Sequence, residues 1–174
     1  VGFHVGGGYD VAVRSVSISQ AQLSLFGVSL GGLGLIVPTF TVKQTAQATP
    51  LAGATNMLTI TLDANLDLPD GSTVTLSGLT VTQSATGSLD ISYASGPAVY
   101  GTIGSWNSDG TFVLTVCCGL STSSQVVLSF SVVNGDVAQN APAVSLSFEI
   151  AGEYAVAAEA VTTSTATLVG VTGG

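Results

Sequence analysis

Apolar and polar residues alternate with a period of two in segment after segment of this chain, and almost nowhere with the period of a helix. Leu58, Ile60 and Leu62 interleave with Thr59, Thr61 and Asp63. Phe112, Leu114 and Val116 share one face. Val126, Leu128, Phe130 and Val132 alternate with Val127, Ser129 and Ser131, and Val144, Leu146, Phe148 and Ile150 with Ser145, Ser147 and Glu149. Successive side chains of a strand point to opposite faces, so each segment carries one apolar face that has to be covered. A chain built of such segments folds by laying one sheet on another.

The punctuation between the segments agrees. Pro69, Asp70 and Gly71 form a turn, as do Asn134, Gly135 and Asp136, and Asn107 to Gly110 is the strongest hairpin signal. Val74 and Leu76, then Leu79 and Val81, read as one strand broken at Ser77 and Gly78. Leu89, Ile91 and Tyr93 read as a single strand, and Gly96 with Pro97 turns the chain into residues 98–103. Pro38 cannot donate to a ladder, so residues 35–42 are an edge strand or one that crosses between sheets. Residues 44–53 read as polar linker and residues 1–8 as a Gly-rich arm. Links of hairpin length cannot make parallel crossovers, so the strands are antiparallel. The expected fold is all-β: an antiparallel Ig-like β-sandwich of roughly nine to eleven strands with strand-like N- and C-terminal extensions. The expected division is an N-terminal arm with packing strands (1–43), a core sandwich (44–152, compact over 54–150) and a C-terminal strand segment (153–174).

The two extensions resemble each other. Ala155, Val156, Leu168, Gly170 and Val171 fall on Ala12, Val13, Leu25, Gly27 and Val28 when one is slid onto the other. A unit that begins and ends on the same element suggests end-to-end assembly. In the first extension Val11, Val13, Val16 and Ile18 slip phase at Arg14 and Ser15, as a β-bulge requires. Leu23 and Leu25 follow in a second short strand. Val156, Val161 and Leu168 play the same part at the other end. Such apolar arms must be covered by their own sandwich or by a neighbour's, and β-strand addition is the known way to do it. These nine residues are the expected assembly strands.

Charged residues are only 7% of the chain against 46% hydrophobic, with a net charge of −8, and Arg14 and Lys43 are the only basic side chains. Nucleic acid and anionic lipid are therefore poor partners. No run of about 18 apolar residues offers a membrane span. No basic segment followed by an apolar one reads as a secretory leader at the N-terminus, although a leader removed on maturation suits the rest of the reading. Ser and Thr, rather than Lys and Glu, supply the polarity. That suits an extracellular β-protein, with O-linked glycans expected on Ser, Thr or modified Pro, since no Asn sequon is present.

Catalytic chemistry finds few groups. His4 is the only histidine, in the Gly-rich arm, and a hydrolase triad would have to use it. Cys117 and Cys118 are adjacent. On a strand they face opposite ways, which favours one buried and one half-buried free thiol; a vicinal disulfide and intermolecular bridges are the alternatives. Two thiols and one distant histidine are too few for zinc. Asp63, Asp67 and Asp70 cluster near one turn without the spacing of a calcium loop, and read first as turn aspartates. Glu149, Glu153 and Glu159 are poor glycosidase candidates because Glu149 alternates with core residues. No cofactor, metal or enzymatic activity is expected. Trp106, Tyr93 and Tyr100 are candidates to stack on sugar rings, against the plainer reading that Trp106 plugs one end of the sandwich.

Several short motifs then carry a resemblance: IVPTFTVKQ (36–44), TPLAG (49–53), NMLTITL (56–62), LDL (66–68), GSTVTLSGL (71–79), GTFVLTV (110–116), VLSFS (127–131) and AQNAP (138–142). Across 36–172 the chain resembles Ig-like β-sandwich repeats of large secreted or surface proteins of microalgae and protists. In those, a segment like 155–172 leads into one like 36–62. The logic is similar to that of donor-strand extracellular glycofibril subunits. The resemblance implies an extracellular sandwich in a tandem or polymeric array and brings no catalytic residues. The expectation is a structural subunit of an extracellular filament whose main partner is itself; the alternative is a cell-surface adhesin or carbohydrate-binding module.

Overall fold

The computed structural model describes residues 23–25, 28–30, 37–151 and 154–163. Its elements are β1 (Leu23–Leu25), β2 (Val28–Leu30), β3 (Phe40–Gln47), β4 (Thr55–Ala64), β5 (Thr73–Ser77), β6 (Gly87–Asp90), β7 (Ser92–Ser95), β8 (Ile103–Asn107), β9 (Thr111–Thr115), β10 (Val126–Val133), β11 (Ser145–Ile150), β12 (Tyr154–Ala160) and β13 (Thr162–Thr163). β1 and β2 pair with each other. The rest form a five-stranded sheet, in the order β13-β3-β4-β10-β7, and a six-stranded sheet, β12-β11-β5-β9-β8-β6. The two pack as a sandwich, and no described residue is helical. The all-β sandwich expected from the alternation is what forms.

Alternation decides the inner faces. Along β4, β10 and β11 every second residue is buried. The two faces meet through aromatic rings from opposite sheets. Phe112 of β9 stacks on Phe130 of β10 at a centroid distance of 4.0 Å, and Phe40 of β3 meets Phe148 of β11 edge-on at 4.9 Å. Trp106, fully buried, tilts against Phe112 at 6.4 Å. Gly104 makes room for the stack, because a Cβ there would sit 2.3 Å from Cζ of Phe112.

Turn chemistry is also as expected in the β8–β9 hairpin. Gly110 has φ +89° and donates its amide to Asn107 O at 3.0 Å, while Asp109 Oδ1 accepts from Thr111 N at 2.9 Å. A side chain at Gly110 would strike the backbone of Leu79 at 2.5 Å, so both conformation and space require glycine.

Five expectations are corrected. Residues 44–47 are not linker: β3 runs through them, with Thr45 buried opposite Ile60, so the boundary expected between 43 and 44 falls inside a strand. β3 itself starts only after Pro38, where Asn65 clamps the chain, its Oδ1 accepting from Thr39 N at 2.9 Å and its Nδ2 donating to Val37 O at 2.8 Å. Val81 is not a strand residue: it has φ +61° and is exposed, because the chain turns out of β5 at Gly78. Leu89, Ile91 and Tyr93 do not lie on one strand of one sheet. β6 pairs with β8, β7 pairs with β10, and buried Ile91 is the crossing point between the sheets. Finally, one pair is parallel, β13 on β3, with Thr162 opposite Gln44 and Thr163 opposite Thr45.

That parallel pair belongs to a second crossing. β12 is antiparallel to β11 in one sheet, and after Val161 the same run of chain continues as β13 in the other. Each lateral margin of the sandwich is therefore laced by a strand that changes sheets.

If Gly104 is the space that admits the Phe112–Phe130 stack, Gly104→Ala lowers stability by about 1–3 kcal/mol in urea unfolding. The loss is smaller in a Phe112→Leu background, with a coupling above about 0.5 kcal/mol.

Candidate functional site

The terminal seam, where β12 and β13 close one margin of the sandwich, gathers the described assembly residues of the C-terminal extension. Val156 lies opposite Phe148 and Val161 donates its amide to Val144 O at 2.9 Å; both are half-buried against the core. Most other side chains of β12 are exposed, and the outer edge of β12 has no strand partner among the described residues. Leu23 and Leu25 pair with Leu30 and Val28 in the β1–β2 ribbon. Val11, Val13, Val16, Ile18 and Leu168 lie outside the described residues, as do His4 and Glu153.

A polar clasp fastens the seam. Glu159 of β12 accepts from Thr39 Oγ1 at 2.7 Å and from Lys43 Nζ at 2.5 Å, and Thr162 Oγ1 donates to Lys43 O at 2.9 Å. Glu159 thus reaches across to the other sheet, to Lys43 of β3 and to Thr39 just before it. Its hydrogen bonds from Lys43 and Thr39, aided by the lysine charge, keep its carboxyl below the ordinary range. From the sequence Glu159 reads only as a poor glycosidase carboxylate. Its partner in space is Lys43, the one basic side chain among the described residues.

The opposite margin has an opening. β7 pairs with β10 only as far as Ser129, where the chain has come across from β6. The neighbouring backbone returns at Val133, whose amide donates to Ser84 Oγ at 2.8 Å and whose carbonyl accepts from Gln83 N at 2.9 Å. Between these points a groove of about 310 Å³ lies beside β10, lined by Ser88, Leu89, Asp90, Phe130, Ser131 and Met57 among others. Along Phe130 to Val132 the β10 edge has no strand on that side among the described residues.

At the end of the sandwich where β9 leaves its sheet, Cys117 and Cys118 form a vicinal disulfide, and both are exposed. The expected pair of buried and half-buried free thiols is corrected: β9 stops at Thr115, so the cysteines sit on a bend rather than on opposite faces of a strand. Asp67 is a loop acceptor, taking Thr122 N on Oδ1 at 2.6 Å. Among the described residues no group of three or more His, Cys, Asp or Glu side chains is placed to hold a metal ion.

The aromatic set is dispersed. Trp106 is sealed inside and donates Nε1 to Ser84 O at 3.2 Å, so it presents no face to a sugar ring; the plug reading holds. Tyr100 is buried, and its hydroxyl finds no partner among the described residues. Burial holds its pKa far above the ordinary tyrosine value. Only Tyr93 is part-exposed, with its hydroxyl accepting from Tyr100 N at 2.9 Å.

At the far end a buried amide pair closes the sandwich, a feature with no sequence signal beyond the Asn134–Gly135 turn. Asn56 Oδ1 accepts from the amides of Ala48 and Thr49, both at 3.1 Å, and Asn56 Nδ2 donates to Asn134 Oδ1 at 3.0 Å. Asn134 Nδ2 donates to Thr49 O and Leu51 O.

The clasp predicts a pH dependence. The Glu159 pKa is depressed in the fold, so its contribution is present above the unfolded carboxyl value, near 4.5, and is lost as pH falls through the folded one. The pair is part-exposed, which limits it to about 1 kcal/mol or less. Chemical unfolding from pH 7 to pH 3 should show that increment disappear in the parent chain and be missing throughout in Glu159→Gln. Comparison with known protein families and with curated proteins finds no match to this chain.

Proposed function

We propose that this chain is a structural subunit, or one repeat, of an extracellular filament in which neighbours join by exchanging β-strands. The observation that carries the reading is the gap in the covering of the β10 edge at Phe130 to Val132, beside its groove, between β7 and the backbone of residues 83 and 84. An open edge with unpaired backbone groups is a template for one more strand, and native proteins generally cover such edges. The chain supplies candidate donors in its extensions, where Val11 and Val13, then Val16 and Ile18 after a one-residue phase slip, give two short alternating runs at one end, and Leu168 is an apolar candidate at the other.

The course of the chain supports a linear array. It enters the sandwich at Val37, beside the Phe40 end of β3, and at Thr163 it is running parallel to β3 toward the Gln47 end. The chain thus enters at one end of the sandwich and, running the same way, heads out toward the other, as head-to-tail stacking needs. The resemblance to Ig-like repeats of secreted algal and protist proteins agrees, and the Ser/Thr-rich surface suits O-linked glycans. An adhesin or carbohydrate-binding role gains nothing from Trp106 and Tyr100, which are buried.

Deleting residues 1–30 and imaging by negative stain tests the proposal. The expected result is loss or marked shortening of fibres, with a monomer in sedimentation. Fibres unchanged in length and number would overturn it.

A further inference from the structure

A disulfide stabilises a fold more the longer the loop it closes, and the bond between Cys117 and Cys118 encloses no intervening residue. It also joins no two elements of the sandwich. The surrounding end is already fastened by other bonds. Gly71 N donates to Val116 O at 2.9 Å, Leu68 and Leu120 exchange backbone hydrogen bonds at 2.8 Å each, Cys117 N donates to Val99 O at 2.7 Å, and Asp67 accepts from Thr122 N at 2.6 Å. Just beneath the bend Val116 and Leu120 are buried in the core. The two cysteines thus stand exposed on a bend that the backbone holds in place. These are the chain's only two cysteines.

From this placement we propose that Cys117–Cys118 is a thiol–disulfide exchange site on the folded protein, open to small thiols and to thiols of other proteins. An incoming thiolate forms a bond to one cysteine sulfur. The Cys117–Cys118 bond breaks, and its electron pair leaves on the other sulfur, which takes a proton from water. A second thiolate then attacks the mixed disulfide. It releases the first cysteine sulfur, which is protonated in turn, and the two external thiols depart as their own disulfide. The product is a vicinal dithiol on an intact sandwich. Exposure gives the attacking thiolate access to the bond, and the hydrogen bonds around the bend let the ring open without releasing the core. The proposal is independent of filament formation and is tested on the soluble chain.

The experiment is thiol counting by intact mass on the native full-length protein, using a maleimide quench before and after dithiothreitol and without denaturant, with circular dichroism recorded in parallel. The expected result is no label before reduction, both cysteines labelled after it, and an unchanged β spectrum. A second variant, Cys117→Ser, leaves Cys118 as a single exposed thiol. It should take up one glutathione from glutathione disulfide while still folded. Labelling before any reductant, labelling only after unfolding in urea, loss of the β spectrum on reduction, or no glutathione uptake by the folded variant would each overturn the proposal.

Discussion

Two sheets of mostly Val, Leu, Thr and Ser residues have little to fix how far apart or in what register they lie, and here aromatic rings do so. Phe112 and Phe130 stack across the interface, Phe40 and Phe148 meet edge-on, and Trp106 fills the space beside them. The rings act as spacers around which the aliphatic core residues close. Gly104 belongs to the same arrangement as the missing side chain that the Phe112 ring needs. With scarcely any charge pairs to assist, shape carries the core. The amide pair Asn56–Asn134 does the equivalent work at one end, where two buried side chains pair with each other and pin the backbone of residues 48–51.

The elements most legible in the sequence are those whose environment is set by burial alone. β4, β10 and β11 are long, alternate cleanly and lie inside their sheets, so period and structure coincide. The β8–β9 hairpin was legible because Asn, Asp and Gly have local conformational reasons to turn. What was not legible depends on partners distant in the chain. Nothing between Leu89 and Tyr93 breaks the alternation, yet Ile91 marks a change of sheet, because β8 and β10 lie on different layers. Residues 44–47 look like linker by composition, and become strand because β4 and β13 flank them.

The same distinction separates the parts of the candidate sites. The half-burial of Val156 and Val161 follows from their pattern. The pairing of Glu159 with Lys43 and Thr39 could not be read, since it joins opposite ends of the described core across the seam. The cysteines differ from their sequence reading for a local reason: the alternation that puts Cys118 on the face of Phe112, Leu114 and Val116 and Cys117 on the other holds only while the strand continues, and it ends at Thr115.

The parallel contact of β13 with β3 also has a mechanical meaning. The chain comes in at the start of β3 and goes out past β13, and the two strands run the same way. Tension applied at Val37 and Thr163 along the strand axis pulls these neighbours past each other instead of peeling them apart. The ladder bonds lie across that axis and are loaded together, along with the Glu159–Lys43 contact and the Thr162 hydroxyl bond to Lys43 O. β12 adds its antiparallel ladder to β11 on the same run of chain. The seam is thus a shear clasp, and a sandwich strung in line through these two strands resists extension where its ends are tied.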